Sequence, residues 1–430
     1  MLASDPMSTL TQSSNQQDMR APQDSQVSGI SRRIHGWSWQ AFPIVMGTSA
    51  VFMTLSDLKR HPAFVSRIEM VFFVFSISLF LVNMVMLFIQ AISFPRHAWS
   101  RLQDPIHGIS VPLMAVSFAT IIVGTINYDV AYGHVSSNFI YALFWVYLAI
   151  AMATCFPMIK ITFSQPRDLL DLAPSCAFPV FPLMLTGLVS ANTLRVIDAP
   201  DAGALGVLLV GYVVHGLGLF MAFFFLSIYI IRLMINGFMQ SSQSNLAFVA
   251  CSPPGFSALT LMSLGDHARS ILSAHGYITE VAGDVWYSAS VMASLLLYGL
   301  ALFFFVLGVI TYRYPFKGRM HEILTCWAMT FPNVGWINAT RLLGDIFAVQ
   351  GFFMFHLVMT ILMCITWLVL TIFTATAFFQ GKILKSGEED VNKDVHWTED
   401  EVMENRPTSA PVISSVTHHL ESSSRTLITV

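Results

Sequence analysis

Cations that close apolar stretches are the residues of this chain best placed to do chemistry, and the chemistry they offer is attraction of an anion. Arg195, Arg269 and Arg341 each end one such stretch, and Lys59 and Arg60 follow another. If those stretches all run the same way through a membrane, the side chains share one mouth and raise the local concentration of anions there. Arginines at apolar boundaries also snorkel to the membrane surface. The set therefore carries the reading, with Arg195 and Arg341 as the anion-attracting pair.

Covalent chemistry finds little support. The sequence has no G-x-x-x-x-G-K-[ST] phosphate loop, and its thirteen histidines form no H-E-x-x-H or H-x-x-H-H group, so neither ATP-driven pumping nor a membrane-bound metalloenzyme is indicated. Cys155, Cys176, Cys251, Cys326 and Cys364 lie in or beside apolar stretches without C-x-x-C spacing and read as small packing residues. Glu69, Asp129, Asp266 and Asp345 all fall near helix ends, so an intramembrane proton relay is not apparent and passive or weakly coupled movement is favoured. His215 and His356 stand inside apolar stretches; each reads as a hydrogen-bonded packing residue, with titration the alternative. The expectation is a protein that is not an enzyme, with no cofactor and no metal.

The elements that must position these residues are membrane helices. Of 430 residues, 55% are hydrophobic and 11% charged, with a mean hydropathy of +0.64. Soluble domains carry about 25% charged residues, so this chain is an integral membrane protein, and a net charge of −3 gives no reason to expect nucleic acid. Ten stretches can cross roughly 30 Å of hydrocarbon: 38–56, 68–92, 108–128, 137–163, 174–194, 203–236, 246–264, 285–312, 322–344 and 350–380. Residues 1–35 read as a disordered polar leader, 36–381 as the membrane domain, and 382–430 as a disordered acidic and Ser/Thr-rich tail whose His418-His419 pair is solvated rather than metal-binding. With the N-terminus inside, thirteen Lys and Arg residues fall on the inner side and six on the outer, which places both termini in the cytosol.

A repeat organises the ten stretches. Pro43, Pro112, Pro182, Pro254 and Pro332 each lie early in an odd-numbered stretch, spaced by roughly 70 residues, and each is followed by a small residue: Gly47, Ser117, Gly187, Ser257 or Gly335. Proline removes a backbone hydrogen bond, which hydrocarbon tolerates only where the freed carbonyl faces protein or a water-filled cavity. The fold expected is therefore all-α and polytopic: five tandem hairpins, with odd-numbered, Pro-kinked helices inside lining a pore and even-numbered helices outside. Phe42, Phe181, Phe256 and Phe331 adjoin the breaks, and an aromatic ring there can plug a narrow conduit; packing is the plainer role for any one of them. The pore-lining set is Phe42, Pro43, Pro112, Ser117, Phe181, Pro182, Pro254, Phe256 and Pro332.

At these positions the sequence resembles a family. "FPNVGWINAT" (331–340), "FVACSPPGFSALTLMSLGDHA" (248–268), "PVFPLMLTGLVSAN" (179–192) and "HGLGLF" (215–220) are similar to the fungal malic acid permease branch of the tellurite-resistance/dicarboxylate transporter family, which includes sulfite efflux pumps and slow-type anion channels. The likeness runs from about Trp37 to Phe379. It implies ten helices around an anion pore, a homotrimer in the plasma membrane, and a pore-occluding phenylalanine that falls on Phe331. It also implies a small anionic substrate, most simply a C4-dicarboxylate such as malate or succinate. Ser252 before the double proline, His215 before "GLG", "MGTSA" (46–50) and Arg341 depart from the family's usual residues near the pathway. Sulfite efflux, or export of a carboxylated fungal secondary metabolite, therefore stays open beside malate.

Overall fold

The structure, a computed structural model, describes residues 28–394 except 106, 131–132, 134, 165, 167, 240, 277, 313–319 and 393. Ten principal helices run through it: α1 (Phe42–Leu55), α2 (Ala63–Ser93), α3 (Leu113–Thr125), α4 (Ser137–Phe163), α5 (Phe181–Thr193), α6 (Ala202–Asn236), α7 (Ser252–His275), α8 (Ala282–Thr311), α9 (Val334–Phe347) and α10 (Gln350–Phe379). Counted with their lead-in turns, eight segments among the described residues are long and apolar enough to cross a membrane, and Trp39–Leu55 is a shorter apolar helix. The α9 segment falls short because Asn333, Asn338, Arg341 and Asp345 interrupt it.

Burial separates the helices into two layers. In the segments holding α3, α5 and α7, 78–89% of the apolar window is buried, against 22–33% in α2, α4, α6, α8 and α10. The outer helices present a lipid-type surface of exposed Val, Leu, Ile and Phe, including Phe88, Phe220, Phe224 and Leu296. The inner helices pack in sequence, α1 on α3, α3 on α5, α5 on α7 and α7 on α9. The Asn338 amide on α9 donates to the Met53 carbonyl of α1 at 2.9 Å and closes the ring. Each even helix packs against the odd helix before it.

The proline break takes a specific form. Every inner helix is preceded by a 3₁₀ stretch: Trp39–Ala41, Gly108–Ser110, Pro174–Val180, Ser241–Cys251, and Trp327–Met329 with Phe331–Asn333. In four cases the repeat proline occupies the first turn of the α-helix or of the 3₁₀ turn that leads into it, and Pro112 is the N-cap of α3. A missing N–H costs nothing in a first turn, where it has no helical partner. Proline therefore marks a change of helix type, and in "TFPNVG" the backbone leaves the helical region altogether at Thr330 (φ −99°, ψ −92°).

Carbonyls near the breaks are satisfied by outer helices. Tyr147 on α4 donates to the Pro182 carbonyl at 2.7 Å, and His215 Nδ1 on α6 bonds the Met184 carbonyl at 2.6 Å. From α10, Trp367 donates to the Thr48 hydroxyl at 3.1 Å. An unpaired backbone group in hydrocarbon costs several kcal/mol, so these bonds explain polar residues on helices that otherwise face lipid.

The described ends of the chain meet on one side of the bundle. A helix, Gly29–Gly36, lies beside residues 382–394: the Ser386 amide donates to the Arg32 carbonyl at 3.0 Å and Arg32 pairs with Glu388 at 3.3 Å. Local order thus reaches beyond the expected boundaries at 35 and 382, while residues 1–27 and 395–430, with His418-His419, lie outside the described residues.

Candidate functional site: an axial path through the inner ring

Two cavities occupy opposite ends of the five-helix ring. The larger, about 550 Å³, is a vestibule where the C-terminal ends of the inner helices converge. Met53, Val123, Leu188, Leu259 and Asn338 represent all five helices in its wall, and Arg195 and Arg341 line it together. The smaller cavity, about 220 Å³, lies at the N-terminal ends and is bounded by Pro43, Met46, Leu113, Phe181, Phe331 and Pro332 among others.

A short partition divides them. From Met46 to Met53, Phe181 to Leu188 and Phe331 to Asn338 there are seven residues each, roughly 10 Å of helix. Within it, Phe256 of α7 and Phe331 pack with ring centroids 5.0 Å apart, 0% and 2% exposed. Hydroxyls of Ser49, Ser117, Thr120, Thr186, Ser257 and Thr260 share this depth; those of Ser257 and Thr260 have no hydrogen-bond partner among the described residues.

The remaining pore candidates are buried but line neither cavity. Phe42 stacks on Trp39 and meets Phe80 of α2 at a tilt of 59°. The Ser117 hydroxyl donates to the Leu113 carbonyl at 2.9 Å. Pro112, Pro182 and Pro254 shape their helices without bounding either space.

The vestibule is less one-sided in charge than its arginines suggest. Arg195 donates to Asn127 at 2.7 Å and Asn192 at 3.2 Å, which holds its guanidinium at the rim without a carboxylate. Arg341 instead pairs with Asp345, which also takes Lys59 at 2.7 Å. Asp57, Asp266 and Asp345 line the same space, so three carboxylates face two guanidinium groups. Asp57 lies just beyond the end of α1, and burial pushes its pKa up to about 6 despite the pull of Arg341 and Arg195. Arg269 stands apart, bonded to Asp284 at 2.6 Å.

Arg195 and Arg341 give one end of the ring a place to receive anions, beside three carboxylates. Residues 36–375 match the voltage-dependent anion channel family. The chain belongs to that family.

Relatives of the chain include malic acid transport proteins and sulfite efflux pumps. The chain is 22% identical to a malic acid transport protein of Schizosaccharomyces pombe over 84% of this chain and 83% of that one. A putative malic acid transport protein of the same organism is 21% identical, with 84% of each chain covered. A sulfite efflux pump of Arthroderma benhamiae is 24% identical over 74% of this chain and 83% of its own. Family and fold together establish a multi-pass anion transporter of the membrane.

Sequence reasoning missed Asp57, Asn127, Asn192, His267 and Asn338 at this channel-family vestibule. Asp57 sits in "LSDLKR" and reads as an ordinary loop carboxylate. Asn338 had a signal, being a polar amide inside an apolar span.

Proposed function

We propose that this protein passes small organic anions along the axis of the inner ring, C4-dicarboxylates such as malate or succinate foremost, with Phe331 as the gate. The observation that carries this reading is the pair of cavities at the two ends of the inner ring, with Phe331 bounding one of them and packed on Phe256. A dicarboxylate needs two separated donors, and Arg195 beyond α5 lines the vestibule with Arg341 on α9, the latter already paired with Asp345. The malic acid transport relatives support the same substrate class. The vestibule is taken as the outer mouth, with both termini cytosolic and a homotrimer in the plasma membrane as the working unit. Residues 1–35 and 382–430 serve as tails of a single membrane domain.

Sulfite efflux is the second reading, favoured by sulfite pumps that match at comparable identity. Proteoliposomes loaded with radiolabelled malate, then with sulfite, separate the two. Saturable malate flux inhibited by succinate supports the first reading. Sulfite flux without malate flux replaces it with the second, and flux of neither anion removes both.

A further inference from the structure

Two histidines and one carboxylate that the sequence scatters meet beside the described chain ends. His35 lies on the Gly29–Gly36 helix, His97 on the short helix Pro95–Gln103 that follows α2, and Asp394 in the segment after α10. His35 Nε2 lies 2.8 Å and His97 Nδ1 3.3 Å from the same oxygen, Asp394 Oδ2. The three donor atoms fall within 4.8 Å of one another. His35 is 1% exposed, and His97 Nε2 is buried with no hydrogen-bond partner among the described residues.

We propose that His35, His97 and Asp394 form a site for a zinc-class divalent cation that ties the two chain ends to the helix after α2. Two imidazole nitrogens and one carboxylate oxygen are ligand types that zinc takes at about 2.0–2.2 Å, with a fourth position for water. Both ring nitrogens lie within 3.3 Å of one oxygen, with the two imidazoles stacked 3.8 Å apart, so the three donor atoms border one small volume. The other nitrogen of His35 is held by Ser386 Oγ at 2.7 Å. When that Nδ1 carries the proton and donates to the hydroxyl, Nε2 presents its lone pair toward Asp394, the outer contact that orients metal-binding histidines.

The electrostatics suit a ligand role. A lone pair facing a carboxylate oxygen at 2.8 Å needs a cation between them, either a proton or a metal ion. Burial, with His35 and Arg101 nearby, pushes His97 down to about 4, so its ring is neutral and able to ligate. Arg32–Glu388 and the Arg33 guanidinium, which donates to the Phe378 carbonyl at 3.0 Å, already hold the same segments together. Metal binding adds a crosslink to a contact that exists without it.

The test uses purified full-length protein without an affinity tag, stripped by chelator, equilibrated with zinc chloride and washed. Bound zinc is measured by mass spectrometry and stability by thermal melting. Wild type is expected to retain about one more zinc ion per chain than either His97→Ala or Asp394→Asn. His418-His419 is intact in all three and contributes equally. Zinc should also raise the wild-type melting temperature by a few degrees and leave that of Asp394→Asn, whose amide keeps the carboxylate's shape, unchanged. Equal zinc content in the three proteins, or equal thermal shifts, overturns the site and leaves a hydrogen-bonded latch.

Discussion

Phe256 and Phe331, seventy-five positions apart in sequence, pack with ring centroids 5.0 Å apart inside the inner ring. Their backbones are brought together by the glycines beside them. A Cβ at Gly335 would lie 2.3 Å from the Phe256 nitrogen, and one at Gly255 would lie 2.8 Å from the Trp336 nitrogen. The aromatic layer thus rests on a contact between α7 and α9 that no side chain can enter.

Gly335→Ala should therefore destabilise the bundle. The added methyl meets backbone rather than a movable side-chain tip, and overpacking of this kind costs about 1–3 kcal/mol or more. Gly299→Ala on α8, where nothing lies within 4 Å, should be neutral. Thermal melting of both variants in detergent checks this. Equal melting temperatures would show that α7 and α9 do not touch as described.

Arg195 should govern the approach of anions more than Arg341 does, because Arg341 is neutralised by Asp345 and Arg195 bonds only to amides. Arg195→Ala should raise the KM for anion flux by about 3–10-fold at low ionic strength, with the difference shrinking as salt screens the vestibule. Arg195→Lys should recover most of the loss. A KM that is unchanged, or a loss insensitive to salt, would count against electrostatic attraction.

Asp57 should make flux sensitive to pH. Its pKa of about 6 lies above the ordinary carboxylate value, so the group is mainly ionised at pH 7 and mainly protonated at pH 5. As pH on the vestibule side falls through 6, the wall loses one negative charge and anion flux should rise. The expected increase is about two- to fivefold. Asp57→Asn should hold the higher flux at both pH values, and a pH step of the same size in that variant would assign it elsewhere.

Much of the architecture was legible because membrane physics ties sequence to position. The proline period sorted inner from outer helices, since backbone without its hydrogen bonds must be buried in protein. The 3₁₀ turns were not legible, because proline suits the first turn of either helix type. At the site, Arg195 and Arg341 could be placed near helix ends from local context, and Phe331 was singled out through the family resemblance. The pairing of Phe331 with Phe256 could not, since it depends on glycines from two repeats meeting. The carboxylates of the vestibule escaped for a related reason: Asp57 looks solvated until five helix ends converge around it. Asp394 sits in a tail that reads as disordered, and only its contacts with His35 and His97 give it a place.

The central claim is that the aromatic layer alone blocks a continuous path between the two cavities. Conductance of the purified protein in planar bilayers, with malate or chloride as the charge carrier, tests this most directly. With Phe331 as the gate, Phe331→Ala should raise anion conductance by about tenfold or more over wild type. Phe256→Ala should give a smaller rise. A buried Phe→Ala change costs about 3–5 kcal/mol, so each variant is first confirmed by its melting transition. Folded Phe331→Ala protein that conducts no better than wild type would contradict the account.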